Sequence, residues 1–256
     1  MKTLYERPDT LRRCLTHYCA GCGHGIVHRL IAEVVDELGI RGRTVGAAPV
    51  GCAVLAHQYL KVDMCEPAHG RTPEVVAAIK RVRPECVVFS YQGDGDLAAI
   101  GTAETIHVAN RGEPVTVFFV NNAVYGMTGG QMAPTTMLTQ RTTTTPTGRD
   151  AGYHGHPIRV CELLATLDGP AYIERVTLTN PDRVRQARRA VRKGFLTQIE
   201  RNGYSLVEFL SPCPTYWRMA PIEAMRFIED EMTKVYPLGV FRDWEAPGAA
   251  KGKTRK

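Results

Sequence analysis

Apolar residues recur along the chain in two alternating rhythms. Over 23–38 (GHGIVHRLIAEVVDEL) they fall at helical spacing and stop at Gly39, a residue suited to closing a helix. RTVGAA at 43–48 reads as a short strand, and 72–82 as a helix opening at Thr72 with Pro73 in its first turn. CVVFSYQ (86–92) and VTVFFVN (115–121) are compact, β-rich runs that predict buried strands, with a helix over 97–110 between them. A helix at 158–167, a strand at 171–177, a helix at 182–202, a strand at 204–210 and a helix at 221–234 continue the alternation. This order predicts an α/β fold, a doubly wound and mostly parallel sheet with helices on both faces. Ligands in such sheets bind beyond the carboxyl ends of the strands.

One stretch breaks the rhythm. Residues 122–156 are polar and rich in Thr, Gly and Pro. A connection that long inside a domain is usually functional. No Ser/Gly/Pro-rich linker divides the chain, so residues 1–256 read as a single domain, with about 247–256 a disordered basic tail.

Composition narrows the classes. Hydrophobic residues make up 44% and charged residues 23%, as in an ordinary globular protein. The net charge is +6, and residues 251–256 supply four basic side chains of it. No basic groove interleaved with aromatic residues is visible, which argues against nucleic acid as a partner. No apolar run reaches the roughly 18 residues of a membrane span. The N-terminal MKTLYERPDTLRR is charged and lacks the apolar core of a secretory signal. The expected location is therefore the cytoplasm, where disulfides are rare. Eight cysteines there point to metal, cluster or buried-thiol roles.

Candidate chemistry clusters after two of the predicted strands. In GDGDLAAIG, Gly93 and Gly95 allow a tight turn close to a phosphate, and Asp94 is a hard oxygen ligand suited to Mg²⁺. The following helix would aim its N-terminus at an anion. Alone, this segment fits a plain β-turn equally well. Asn122 follows Asp94 by 28 positions, at the end of the next strand. Two neighbouring parallel strands joined by one helix would bring both loop tips together, so that Asn122 could offer its amide oxygen to the same ion.

The cysteines divide. Cys19 and Cys22 form YCAGCGHG, which on its own suits a redox dithiol, half a zinc site or a pair of cluster ligands. A zinc ribbon is disfavoured because no second close pair exists. Cys52 (APVGCAVL) and Cys213 (LSPCPTYW) sit beside Gly or Pro, as loop residues do, whereas Cys14, Cys65, Cys86 and Cys161 read as structural thiols. His69-Gly70-Arg71 is either a ligand-contacting loop or a helix cap. His28 is expected on the surface or in a packing contact, and His24 near whatever the C-x-x-C holds. The basic run from Arg183 to Lys193 reads as the solvated face of an amphipathic helix.

GDG, then a helix and a strand, then NN resembles the thiamine diphosphate signature. NNAVYGMTGGQMAPTT looks like the corresponding loop of 2-oxoacid:ferredoxin oxidoreductase β subunits, and the resemblance runs over roughly residues 15–240. It implies a thiamine-diphosphate-binding fold in which Asp94, Asn122 and the carbonyl of Val124 hold Mg²⁺. Gly51, Gly93, Gly95, Asp96, Thr128, Gly129 and Gly130 would line the diphosphate site. Cys19, Cys22, Cys52 and Cys213 would ligate one 4Fe-4S cluster. His69 and Arg71 would touch diphosphate or substrate carboxylate. Pyruvate-specific relatives tend to carry Asn where Met127 stands, so a longer 2-oxoacid is implied, 2-oxoglutarate first and a branched-chain acid second. The implied reaction is coenzyme-A-dependent oxidative decarboxylation, with electrons passed through the cluster to ferredoxin and the physiological direction open. It needs an α subunit carrying the pyrimidine-binding domain, in an αβ heterodimer or its dimer, and a ferredoxin or small ferredoxin-like subunit. A thiamine enzyme without a cluster would leave four cysteines without a role. An RNA-binding regulator would leave the pairing of Asp94 with Asn122 unexplained.

Overall fold

The computed structural model describes residues 6–244. In chain order its elements are α1 (His24–Glu37), β1 (Thr44–Ala47), α2 (Ala56–Tyr59), β2 (Asp63–Cys65), α3 (Thr72–Val82), β3 (Val87–Gly93), α4 (Thr102–Asn110), β4 (Thr116–Asn121), α5 (Ala151–His154), α6 (Val160–Ala165), β5 (Pro170–Thr177), α7 (Pro181–Arg201), β6 (Tyr204–Leu210), α8 (Pro214–Trp217), α9 (Pro221–Phe227), α10 (Thr233–Val235) and β7 (Gly239–Asp243). The strands form one sheet in the order β2-β1-β3-β4-β6-β5-β7, and every neighbouring pair is parallel except β5 with β7. The mostly parallel, doubly wound sheet expected from the alternation is the one observed.

Strands covered on both faces read as near-continuous apolar runs. Successive residues of β3 and β4 accordingly feed two different cores. Phe89, Tyr91, Phe118 and Val120 pack under Val27, Leu30 and Ile31 of α1 and Ala187, Val191 and Phe195 of α7. Val88, Val117 and Phe119 pack on the other side against Val76 of α3, Val108 of α4 and Val160 of α6. The sheet is thus sandwiched between helices, and its carboxyl edge is left to the loops.

The basic face of α7 is solvent-accessible, as expected, and is also paired across the fold. Asn180 caps the helix by accepting from the Arg183 amide at 3.0 Å, with Pro181 in the first turn. Its cations are engaged within the fold: Arg188 with Glu33 and Glu37, Arg192 with Glu37, and Arg183 with Glu229. The face is largely a seam to neighbouring elements, where complementary carboxylates from distant segments meet it.

Three-residue β2 and the edge strand β7 carry no period the sequence could reveal. The expected helix at 221–234 is observed as a continuous run from Pro221 to Val235, widened into a π turn over Ile228–Met232 between α9 and α10. The expected basic tail lies outside the described residues. Among those residues no helix is long and apolar enough to cross a membrane.

Candidate functional site

Strands β3 and β4 lie side by side, with Gly93 opposite Val120, so the loops leaving their carboxyl ends meet. There the Asn122 amide reaches the carbonyl oxygen of Val124 at 2.7 Å and Asp94 Oδ2 at 3.3 Å, once it is turned with nitrogen inward. With its oxygen inward, three oxygens converge, an arrangement that is repulsive unless a cation lies among them. One carboxylate, one amide and one backbone carbonyl form a donor set suited to a hard divalent ion that also takes phosphate oxygens. The three residues named from sequence therefore fit Mg²⁺.

Asp94 is buried, and desolvation raises its pKa to about 7 against the opposing hydrogen bonds from Thr135 and nearby backbone amides. Thr135 Oγ1 donates to Asp94 Oδ2 at 2.8 Å, and Tyr236 holds the Thr135 carbonyl at 2.5 Å. The turn delivering Asn122 and Val124 is held in several places. Ala123 stands at φ +57°, which costs a residue with a side chain about 1–2 kcal/mol. The Ala123 amide donates to Asn121 Oδ1 at 3.1 Å, its carbonyl accepts from Thr136 at 2.7 Å, and Trp217 donates to the Asn122 carbonyl at 3.0 Å. Thr135, Thr136 and Trp217 were missed as candidates. The only sequence signal was their place in the APTT stretch and just after Cys213.

A cavity of about 270 Å³ opens above these groups. Gly51, His69, Gly93, Gly95, Asp96, Met127 and Thr128 line it together with Asp94, Asn122 and Val124. A Cβ added at Gly93 would meet nothing within 4 Å, so that position faces open space. Asp96 ties the His69 loop to the cavity floor. It accepts from the Gly70 amide at 2.5 Å and from Gln92 at 2.6 Å, and lies 3.0 Å from His69 Nδ1. Arg71 is placed otherwise: its guanidinium pairs with Glu104, away from the cavity wall. Gly129 and Gly130 also stand outside that wall. Gly130, at φ +80°, backs onto Tyr216, where a Cβ would come within 2.6 Å of the ring.

Cys52, which also lines the cavity, and Cys213 meet beside Gly126 of the same loop. A Cβ on Gly126 would lie 3.2 Å from Cys52 Sγ and 3.7 Å from Cys213 Sγ. Gly21, inside the C-x-x-C, packs so closely on Pro221 and Pro214 that a Cβ there would approach them to 2.6 Å and 3.2 Å. That contact brings Cys19 and Cys22 to the segment holding Cys213. Cys22 feels the charge of Cys19, and Cys52 that of Cys22, Asp94 and Cys19. Burial pushes the thiols of Cys52 and Cys213 up to about 12 and that of Cys22 to about 11. Bound iron would offset this by favouring thiolate. The nearby backbone of His24 and of Tyr216 opposes this rise at Cys22 and Cys213. Among the described residues no group of three side chains closes to single-ion distance.

His24 and His28 are both buried, which places His28 in packing rather than on the surface. His24 stacks on Tyr18 at 4.7 Å, bonds the Tyr91 hydroxyl through Nδ1 at 2.5 Å, and lines the cavity. Desolvation lowers its pKa to about 3, so it is uncharged. A wider groove of about 640 Å³ lies between residues 6–9, α1 and Arg188, and it holds none of the candidate residues.

Residues 49–209 match the model of the thiamine pyrophosphate enzyme C-terminal TPP binding domain. The chain is 54% identical over 243 residues to ketoisovalerate oxidoreductase subunit VorA of Methanothermobacter thermautotrophicus, covering 95% of this chain and 51% of that one. The VorA of Methanothermobacter marburgensis is 52% identical and 50% covered, so the chain spans about half the length of these relatives. It is 32% identical to 2-oxoglutarate synthase subunit KorB of Methanocaldococcus jannaschii, over 95% of this chain and 92% of that one. In fold it matches a 2-oxoglutarate:ferredoxin oxidoreductase from Magnetococcus marinus at a TM-score of 0.77 and 22% identity, covering 98% of this chain and 89% of that one. The chain therefore belongs to the thiamine pyrophosphate enzyme family, in the branch of the 2-oxoacid oxidoreductase subunits.

Proposed function

We propose that this chain is the thiamine-diphosphate-binding part of a 2-oxoacid:ferredoxin oxidoreductase acting on a branched-chain 2-oxoacid. The observation that carries the reading is the convergence of Asp94, Asn122 and the Val124 carbonyl on a cavity backed by Cys22, Cys52 and Cys213. A diphosphate-bound Mg²⁺ beside four thiols suits a reaction that removes electrons as well as carbon dioxide. Bound thiamine diphosphate would supply the electron sink for decarboxylation, and a 4Fe-4S cluster on Cys19, Cys22, Cys52 and Cys213 would supply the one-electron relay. The chain's own part is to hold the ion through Asp94, Asn122 and Val124. It also lines the diphosphate with Gly51, Gly93, Gly95 and Thr128, and keeps His69 oriented through Asp96.

Two observations favour a branched-chain acid over 2-oxoglutarate, reversing the order taken from Met127 alone. Identity to the two ketoisovalerate subunits exceeds 50%, against 32% for a 2-oxoglutarate one. The cavity mouth is apolar, with Val50, Ile100 and Met127 on its rim and, among the described residues, no Lys or Arg in its lining to pair a second carboxylate. Arg71, two residues from His69 in the lining, is engaged by Glu104. Those three rim residues are about half exposed, as expected where an α subunit closes the pocket and supplies the pyrimidine side. Coenzyme A and an external ferredoxin complete the proposed system, in a reducing cytoplasm.

Anaerobic purification with the neighbouring subunit, followed by iron and sulfide analysis, tests the cluster. About four irons per chain are expected. Cys213→Ala should lose them, and Cys86→Ala should not. Coenzyme-A-dependent viologen reduction with 2-oxoisovalerate and with 2-oxoglutarate then decides the substrate. A higher kcat/KM with 2-oxoglutarate would overturn the branched-chain assignment. A protein that binds thiamine diphosphate but takes up no iron on reconstitution would overturn the redox one.

A further inference from the structure

Beneath the metal-binding turn lies a buried ionic network that nothing in the ligand set requires. Glu208 on β6 and Arg175 on β5 are both fully buried and pair at 2.8 Å. Glu162 grips the other end of Arg175 at 2.5 Å. Glu208 uses its second oxygen on the sheet's own loop, accepting from Asn121 Nδ2 at 2.7 Å. That bond decides which way the Asn121 amide faces. With Nδ2 held by Glu208, Oδ1 faces the Ala123 amide and accepts from it at 3.1 Å. Ala123 is the residue with φ +57° between the two metal donors.

We infer that Glu208 is a positioning residue for the metal site: through Asn121 it holds Ala123 left-handed, so that Asn122 and the Val124 carbonyl face Asp94. This rests on the Mg²⁺ reading of Asp94, Asn122 and Val124. The direction of each bond makes it specific. Arg175 can only donate, so its partner atom on residue 208 must be an acceptor. In Glu208→Gln the single carbonyl oxygen turns to Arg175, and the NH₂ turns to Asn121. Asn121 must then invert and present its own NH₂ to the Ala123 amide, two donors face to face. The shape of the core is kept while the clamp is reversed. Outer-shell partners of metal ligands typically matter by about 10–100-fold in affinity. Thr136 and Trp217 also hold this turn, so the low end of that range applies.

The test titrates Mn²⁺ into the full chain, assembled with its partner subunit and saturated with thiamine diphosphate, and reads free Mn²⁺ by electron paramagnetic resonance. Glu208→Gln should weaken Mn²⁺ binding by about tenfold. Adding Ala123→Gly should recover most of that loss, because glycine adopts a positive φ without a clamp. Asp94→Ala is the control for the site itself. If the unchanged chain binds no Mn²⁺, or Asp94→Ala binds it normally, the metal site is misassigned and the inference falls with it. If Asp94→Ala abolishes binding while Glu208→Gln binds as the unchanged chain does, the positioning role alone is overturned. A loss that Ala123→Gly does not reduce would likewise overturn it, since Glu208 would then act only by holding the core together.

Discussion

Asp96 Oδ1 lies 3.0 Å from His69 Nδ1, and the same carboxylate accepts from the Gly70 amide and from Gln92. One buried acid thereby joins the turn between β3 and α4 to a loop from a different part of the chain. Asp96→Ala would strand the Gly70 amide and the Gln92 amide group inside the fold, each at about 1–3 kcal/mol. Urea denaturation should show a loss of about 3 kcal/mol in unfolding free energy. His69 would also lose its orientation, so thiamine diphosphate binding should weaken as well. Unchanged stability would mean that water replaces the carboxylate there.

Gly93 offers a cleaner separation of fold from ligand. Its added Cβ meets nothing within 4 Å, and its φ is not positive. Gly93→Ala should therefore leave the melting temperature unchanged or slightly higher, as expected when unfolded-chain freedom is reduced. The new methyl group points into the cavity, so affinity for thiamine diphosphate should fall by about tenfold, or about 1.4 kcal/mol. Calorimetric titration beside a thermal melt checks both halves. Equal affinity would place the diphosphate elsewhere.

How much of this could be read beforehand depended on which partner each group has. Asp94 and Asn122 were legible because a strand–helix–strand unit fixes where its two carboxyl ends lie, whatever the side chains. Gly21 and Gly126 were not, since their significance is a close approach by Pro221 or by two thiols that only the folded chain brings near. Glu208 and Arg175 stand in YSLVEFL and YIERVT, strands covered on both faces, where the sequence does not say what a buried charge would meet. Both point inward and satisfy each other. The grouping of the four cysteines came from family resemblance, because dispersed thiols carry no spacing rule of their own. The ion pairs of the α7 cations were hidden for a related reason: their carboxylates sit up to 155 positions away.

Arg149 shows the same limit in a stronger form. It is 5% exposed and, among the described residues, pairs with no carboxylate; it donates instead to backbone carbonyls on both limbs of the long polar connection. These are Pro134 at 2.9 Å, Thr136 at 2.6 Å, Gly155 at 2.9 Å and His156 at 2.8 Å. A segment almost without regular structure is thereby given internal order, and with it the position of Thr135 and Thr136 against the metal-binding turn. Arg149→Ala should destabilise the fold by about 3 kcal/mol through unpaired carbonyls. Hydrogen exchange should quicken first within 133–156, before the sheet opens. Protection unchanged in that segment would show that the loop is ordered without the guanidinium.

The buried imidazoles predict how stability responds to acid. Desolvation, reinforced by repulsion from His24 and His17, lowers the pKa of His28 to about 3. In the unfolded chain the group titrates near about 6.5. Between those values the unfolded chain binds a proton that the folded chain refuses, so this contribution to stability is complete above about pH 6.5 and is lost progressively toward pH 3. One such proton changes the unfolding free energy by about 1.4 kcal/mol per pH unit. Asp94, with its raised pKa, works in the opposite sense over part of the window, so the raw slope mixes several groups. The difference between two proteins isolates one of them. His28→Gln keeps a partner for the Tyr18 hydroxyl, which bonds Nε2 at 2.7 Å, and cannot take up the proton. Measured between about pH 4 and pH 6, its stability should fall less steeply than that of the unchanged chain by about 1.4 kcal/mol per unit. Parallel curves would mean that His28 is already charged inside the fold, and that the stack of His24, Tyr18 and Tyr91 around it accommodates a cation.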